Sequence, residues 1–227
     1  ADKGQIAAWS GAVVKTLDPI ISDDEIVAAI EGSREMEAHI DQVIAWKRDN
    51  PADDLLSALI AAEEDGDRLS SIELRDQVVL LFIAGHETTV NLIGTGIYEL
   101  LRHPDQLAML RDDPSLDANA IDELLRFVSP VQMSRRVVLH DITIRDKTIP
   151  KGMFVLTGLA SANRDPEKWG PTADDLDIVR EGAAQHVSFG SGIHYCLGAS
   201  LARLEAQVAI GTFVRRFPNA RLAGDPE

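Results

Sequence analysis

Ten residues contain the most informative pattern of the chain: Phe189-Gly190-Ser191-Gly192-Ile193-His194-Tyr195-Cys196-Leu197-Gly198. They include the only cysteine, and a helical repeat of apolar residues follows them and ends before Pro218. Cys196 is therefore predicted to lie at the N-terminus of a helix, where free backbone N–H groups and the helix dipole stabilise a thiolate. The flanking glycines leave little side-chain bulk around the sulfur. This arrangement suits an axial thiolate ligand of a large planar metal cofactor.

Two other interpretations of Cys196 remain open on these residues alone. A single cysteine is most often a small buried apolar residue. His194 precedes it by two positions, and this spacing also allows a catalytic Cys–His pair. Neither interpretation explains why three glycines flank the cysteine.

The order Phe-Gly-x-Gly-x-His-x-Cys-x-Gly resembles the haem-binding signature of the cytochrome P-450 family. The resemblance implies that Cys196 is the proximal ligand of the iron in haem b, and that His194 faces a haem propionate. It also implies that Phe189, Gly190 and Gly198 belong to the same cofactor-binding loop.

A second motif lies inside the longest predicted helix, which begins at a Ser70-x-x-Glu73 capping box and runs to residue 103. Residues 78–97 are apolar almost all round the helix, which predicts a position in the middle of a domain. The centre of the helix nevertheless carries Ala84-Gly85-His86-Glu87-Thr88-Thr89. A glycine and a buried carboxylate both lower helix stability. Such a cluster either fixes the position of the helix or performs a function.

The order Ala-Gly-x-Glu-Thr resembles the oxygen-binding groove of the same family. The resemblance implies that the Thr88 hydroxyl helps to protonate bound dioxygen and that Glu87 is its acidic neighbour in a proton relay. It also implies that Ala84 and Gly85 leave space for O2.

A third motif is Glu123-x-x-Arg126 on a helix predicted at residues 118–127. Side chains three positions apart share a helix face. An isolated pair of this kind usually lies in solvent and contributes little, but the apolar neighbours favour partial burial. The motif resembles the structural pair of the family, which implies that a further arginine completes it. Arg180 is the candidate for that third member.

The hydrophobic period changes to two in residues 136–157, which predicts short strands at 137–139, 142–144 and 153–156. Turns are predicted at Arg145-Asp146-Lys147 and Pro150-Lys151-Gly152. By the family resemblance, Arg136 at the start of this region binds a haem propionate.

The predicted fold is mainly α with a small β region. It is a cytochrome P-450-like helical fold that lacks the N-terminal part and the extreme C-terminus of the family. All 227 residues are assigned to one partial domain. Its segments are lid helices at 1–64, a central helix at 70–103, the Glu-x-x-Arg helix and small sheet at 117–157, a meander and cysteine loop at 162–198, and a proximal helix at 197–217. Turns at Asp18-Pro19 and Asp65-Gly66-Asp67 are predicted between the first helices.

Composition limits the class of protein. The net charge of −15 argues against nucleic acid and anionic membranes as partners. The longest apolar run, residues 78–84, is too short to span a bilayer. One cysteine is typical of a reducing compartment. We therefore expect an acidic, cytoplasmic protein that binds neither nucleic acid nor membrane.

The resemblance implies a haem-thiolate monooxygenase, which inserts one oxygen atom of O2 into a small organic substrate with electrons from a ferredoxin-type or flavin redox partner. Arg203 on the proximal helix either docks that partner or is a solvated charge. The alternative function is a truncated, non-catalytic fragment that binds haem weakly or not at all, which the expected absence of the family's N-terminal half favours. The propionate clamp of the family is also absent, since none of the three tryptophans is followed four positions later by arginine. A haem sensor without oxygen chemistry is a third interpretation. The truncated chain is expected to self-associate.

Overall fold

The computed structural model describes residues 3–18, 20–64 and 69–224. It contains the helices α1 (Lys3–Val14), α2 (Asp23–Asp49), α3 (Leu55–Glu64), α4 (Ser71–Arg102), α5 (Pro104–Asp112), α6 (Asp117–Val128), α7 (Leu159–Ala162), α8 (Pro166–Trp169) and α9 (Ala199–Arg216). It also contains the strands β1 (Met133–Val137), β2 (Ile142–Ile144), β3 (Lys147–Ile149) and β4 (Phe154–Gly158). The prediction of a mainly α fold with a small β region is confirmed. Pro19 and the predicted turn at Asp65-Gly66-Asp67 lie outside the described residues.

The chain divides into two compact units, Ala1–Glu87 and Thr88–Glu227, and the boundary lies inside α4. The described part of the first unit has a core made by α1, α2, α3 and the start of α4: Trp9, Met36, Ile40, Ile44, Ile60 and Leu74. The second unit has its own core, which includes buried residues of α6 and α9: Ala120, Ile121, Leu124, Leu125, Ala206, Ile210 and Val214. The assignment of residues 1–227 to one domain stays a prediction.

Capping boxes fix the starts of the two longest helices. In α2 the Ser22 hydroxyl accepts the Glu25 N–H at 3.3 Å, and the Glu25 carboxylate accepts the Ser22 N–H at 2.9 Å. In α4 the predicted box is present, with Ser70 and Glu73 making the same two contacts at 3.3 and 2.7 Å. Each box pairs backbone donors that a helix start otherwise leaves without an intrahelical acceptor.

The small sheet differs from its prediction. The strand expected at residues 137–139 is wrong, because β1 ends at Val137 and pairs with β4 in antiparallel register. β3 was not predicted, and its first residue, Lys147, belongs to the turn predicted at Arg145-Asp146-Lys147. Arg145 adopts a positive φ of 56°, which tightens the turn enough for β2 to pair directly with β3.

The central helix α4 is less buried than its composition predicts. Its fully buried side chains lie along one stripe, Leu74, Leu92 and Leu100, while Leu80 and Val90 are exposed. Each half of the helix therefore packs into its own unit mainly by one face. Among the described residues, α4 alone has the length and apolar composition of a membrane-crossing helix, a criterion that core helices of soluble proteins also meet.

Helix α9 is apolar on two opposite sides. Ala206, Ile210 and Val214 are buried in the core. The residues whose spacing predicted the helix form a second, exposed stripe, with Leu201 59%, Leu204 57% and Val208 60% exposed. We refer to these three residues as the α9 stripe. The apolar repeat thus identified the helix correctly, but most of it does not face the core.

Candidate functional site

The cysteine loop, residues 189–198, is closed by its own backbone. The Phe189 carbonyl accepts the Cys196 N–H at 2.9 Å, and Gly190 and Gly192 have φ values of +72° and +69°. Other residues rarely adopt such angles, so both positions require glycine. Gly198 is the N-cap of α9, which places Cys196 two residues before the cap, as predicted.

The loop presents its thiol to solvent. Residues 191–198 are all exposed, including Cys196, and the apolar side chains of Ile193 and Leu197 are 97% and 89% exposed. A Cβ added at Gly198 would lie 4.0 Å from the Cys196 sulfur, in van der Waals contact. The loop is therefore an apolar surface with one soft donor atom, the Cys196 sulfur. The absence of a side chain at Gly198 leaves this sulfur uncovered. These properties fit a large, flat, largely apolar metal cofactor.

Two candidate donors to an anionic group lie on different elements. His194 is exposed in the loop, and Arg136 is exposed on β1 opposite Val155. The Arg136 guanidinium donates to the Ser134 hydroxyl and to the Arg135 carbonyl at 2.7 Å. Adjacent side chains alternate across a strand, so Arg135 lies on the other face. Both candidates are open to an anionic group.

The Glu-x-x-Arg motif forms the fully buried part of an ion-pair triad. Arg126 donates to both Glu123 carboxylate oxygens, at 2.7 and 2.8 Å, and both residues are 0% exposed. The Arg180 Nε lies 3.1 and 3.2 Å from the same two oxygens. The three residues named from the sequence therefore meet. Arg126 also donates to the carbonyls of Asn163 and Ala173, at 2.8 and 2.7 Å, which anchors the meander to α6.

A buried polar network that the sequence did not reveal lies beside this triad. The Asn163 amide donates to the hydroxyls of Ser129 and Ser188, each at 2.8 Å, and its carbonyl oxygen accepts the Val187 N–H at 2.8 Å. Ser188 is one residue before the cysteine loop, so the network anchors that end of the loop. Asn163 lay in the predicted meander, but its partners are distant in sequence and no local pattern identifies them.

The motif on α4 is only half-buried. Ala84 and Gly85 are exposed, and a Cβ added at Gly85 would meet nothing within 4 Å, so this side of the helix is open. The expectation that Glu87 is buried is wrong, because its side chain is 31% exposed. The reason is the one-sided packing of α4. Thr88 is half-buried on the same continuous helix.

A second charged cluster adjoins the cysteine loop. Asp122 on α6 accepts from Arg203 Nε at 2.7 Å and lies 3.3 Å from His186 Nε2. Burial raises the pKa of Asp122, but the hydrogen bonds from His186 and Arg203 and the charge of Arg203 outweigh it and hold the pKa below its ordinary value of 3.8. Arg203 is therefore paired rather than a solvated charge. Sequence reasoning singled out neither Asp122 nor His186.

A sequence model of the family described as Cytochrome P450 matches residues 26–221. The chain belongs to the cytochrome P450 family. It is 47% identical to Cytochrome P450 107B1 of Saccharopolyspora erythraea, over 97% of this chain and 52% of that protein. It is 48% identical to Vitamin D(3) 25-hydroxylase of Pseudonocardia autotrophica, over 98% of this chain and 53% of that protein. The chain thus spans about half the length of these cytochrome P450 relatives.

Solved structures of the family agree with the fold. P450BioI, in complex with an acyl carrier protein that carries hexadec-9Z-enoic acid, matches with a TM-score of 0.91 and 40% identity, over 99% of this chain and 57% of its own. Ligand-free CYP164A2 of Mycobacterium smegmatis matches with a TM-score of 0.92 and 40% identity, over 100% of this chain and 59% of its own. Membership of the cytochrome P450 family implies haem b as the cofactor, and the exposed thiol of the glycine-shaped loop is chemically suited to it.

Proposed function

We propose that the chain is part of a haem-thiolate monooxygenase that inserts one oxygen atom of O2 into a small organic substrate. The observation that supports this most directly is the exposed thiol of Cys196. The thiol lies in a loop that contains two positive-φ glycines and directly precedes α9, and this exposure allows the sulfur to ligate a metal.

The haem would be held by residues of the cysteine loop and of β1. Cys196 would supply the thiolate ligand, and Phe189, Gly190 and Gly198 would shape the surface around it. His194 and Arg136 would pair with the propionates, since both are exposed and able to donate to an anion. When bound, haem with a thiolate ligand supplies the O2-cleaving chemistry.

The chain's own contribution to oxygen chemistry would come from α4. The Thr88 hydroxyl would hold a proton and a water beside O2, and Glu87 would exchange protons with solvent, since its carboxylate is partly exposed. Ala84 and Gly85 would leave room on the open side of the helix.

The relatives suggest the class of substrate. One is named as a Vitamin D(3) 25-hydroxylase and another as a polyketide biosynthesis cytochrome P450. We infer an apolar organic substrate, with electrons from a ferredoxin-type or flavin redox partner. A cytoplasmic location, without nucleic acid or membrane as partner, is proposed from the net charge of −15 and from the single cysteine.

The absorption spectrum of the reduced, haem-loaded full-length enzyme that contains this chain, recorded with carbon monoxide, tests this proposal. We expect a strongly red-shifted Soret band for the parent and its loss in Cys196→Ser, because a neutral hydroxyl is a poor donor to iron. Ser191→Ala in the same loop is the matched control and should keep the band. An unchanged spectrum in Cys196→Ser would show that this residue is not the ligand.

A second candidate is a non-catalytic fragment with weak or no haem binding. Two observations favour it: the chain spans about half the length of its cytochrome P450 relatives, and α9 carries an exposed apolar stripe. Haem titration of the 227-residue chain tests this candidate, because tight binding of one haem would contradict it.

A further inference from the structure

The charged cluster beside the cysteine loop has a role beyond joining two helices. We infer that Asp122, acting through Arg203 and His186, is a positioning residue that holds the Phe189 ring and thereby the loop that carries Cys196. The expected effect of Asp122 on haem ligation rests on the proposed function, whereas its expected effect on the loop conformation does not.

A single carboxylate oxygen of Asp122 contacts both Arg203 and His186. Asp122 Oδ1 accepts from Arg203 Nε at 2.7 Å and lies 3.3 Å from His186 Nε2. The Ser188 N–H donates to His186 Nδ1 at 3.1 Å, so Nδ1 carries no proton and Nε2 is the nitrogen that donates to Asp122. The His186 side chain is 1% exposed. The orientation of the imidazole is therefore set from both sides.

The two partners contact the same aromatic ring. The Arg203 guanidinium carbon lies 4.6 Å from the centroid of the Phe189 ring, and the His186 ring centroid lies 5.5 Å from it. Arg203 also donates to the Tyr195 hydroxyl at 3.4 Å. A cation over an aromatic face is attractive, so the guanidinium holds Phe189 at one end of the loop and Tyr195 near the other.

Phe189 transmits this constraint to the cysteine. Its carbonyl accepts the Cys196 N–H at 2.9 Å, so a displaced Phe189 would loosen the hydrogen bond that closes the loop. Groups that orient a metal ligand without touching the metal commonly set its position and donor strength. Asp122 belongs to this class and is separate from the triad of its neighbour Glu123, which points about 100° away around α6.

The structure supplies a matched control for a merely structural role. Asp117, also on α6, pairs with Arg215 of α9 at 2.6 Å. Arg215 lies twelve residues beyond Arg203, about 18 Å along the helix. Both ion pairs join α6 to α9, but only the Asp122 pair reaches the cysteine loop.

Hydrogen exchange of the Cys196 amide tests the inference on the haem-free 227-residue chain. We expect Asp122→Ala to accelerate exchange about fivefold, the factor that corresponds to about 1 kcal/mol, the usual net value of one hydrogen bond. Asp117→Ala should leave this amide unchanged. Equal acceleration in both variants, or none in Asp122→Ala, would overturn the inference.

Arg203→Lys is the second variant for this measurement, and it replaces Asp122→Ala if that variant fails to fold. Lysine retains the charge but lacks the planar group that covers Phe189, so we expect the Cys196 amide to exchange faster than in the parent. Parent-like protection in Arg203→Lys would show that the guanidinium does not hold the loop. In the haem-loaded full-length enzyme that contains this chain, Arg203→Lys should also lose part of the red-shifted carbon monoxide band. Faster exchange with no such band in the parent would retain the loop-positioning inference and reject the proposed haem ligation.

Discussion

At the scale of single residues, the charge of Glu123 depends strongly on its hydrogen-bond and ion-pair partners. Its carboxylate is fully buried and accepts from two arginines and from the Asp177 N–H at 3.0 Å. A buried charge is tolerable only while its partners are in place. The triad therefore ties α6 to the meander and loses stability sharply when one member is neutralised.

Glu123→Gln is expected to lower the free energy of unfolding by about 3–5 kcal/mol, because it leaves Arg126 buried without its counter-charge. Chemical denaturation measures this loss. Asp117→Asn, at a partly exposed pair on the same helix, should have a much smaller effect. A midpoint for Glu123→Gln equal to that of the parent would contradict the buried triad.

Thr88→Ala in a complete enzyme is expected to retain haem and substrate binding but to lower the product formed per electron consumed, with the remaining electrons reducing O2 to hydrogen peroxide. The reason is the loss of the hydroxyl that holds a proton and water beside O2. Thr89→Ala removes the neighbouring hydroxyl on a different face of α4 and is the control. Parent-like coupling in Thr88→Ala would assign this threonine to helix packing alone.

At the scale of elements, helix ends and loops follow from local chemistry. The boxes at Ser22 and Ser70 start α2 and α4, and the glycines of the cysteine loop set the backbone that precedes α9. These features need only residues within a few positions of each other, so they are readable from the sequence. The same is not true of the faces that helices bury, as α4 and α9 show.

Ser70→Ala is expected to destabilise the chain by about 0.5–2 kcal/mol, because the Glu73 N–H loses its side-chain acceptor. Thermal or denaturant unfolding measures it. Thr95→Ala, at an exposed position of the same helix, removes a hydroxyl away from the cap and should not be destabilising. Equal losses in the two variants would remove the cap as the cause.

At the scale of the whole molecule, two units each have a core, and large apolar side chains remain outside both. The α9 stripe is the most regular example, because Leu201, Leu204 and Val208 lie on one helix face. An exposed apolar stripe of this kind favours association. The exposed stripe is consistent with the length of the chain, which is about half that of its cytochrome P450 relatives.

The 227-residue chain is expected to form dimers or larger oligomers and to hold haem loosely or not at all. Size-exclusion chromatography with haem titration measures both. Replacing Leu201 and Leu204 by glutamine should shift the chain towards the monomer. Leu139→Gln, at an exposed leucine outside the α9 stripe, should not. A parent chain that is monomeric and binds one haem tightly would contradict this prediction.

The sequence by itself determined the family, the mainly helical class and the positions of the cysteine loop, the α4 motif and the Glu-x-x-Arg pair. Each rests on residues that are close together in the chain. A positive-φ glycine, a capping serine or an i, i+3 ion pair is specified by local geometry. Family resemblance extended this to Arg180, which the structure places against Glu123.

Only the tertiary structure decided what is buried and what is joined across long separations. The contacts of Asn163 with Ser129 and Ser188, and of Asp122 with Arg203, connect residues that are 25 to 81 positions apart. It also decided that Glu87 is half-exposed and that Leu201, Leu204 and Val208 face solvent. The physical reason is that periodicity reports which residues are apolar on a helix, whereas burial depends on which other elements pack against that face.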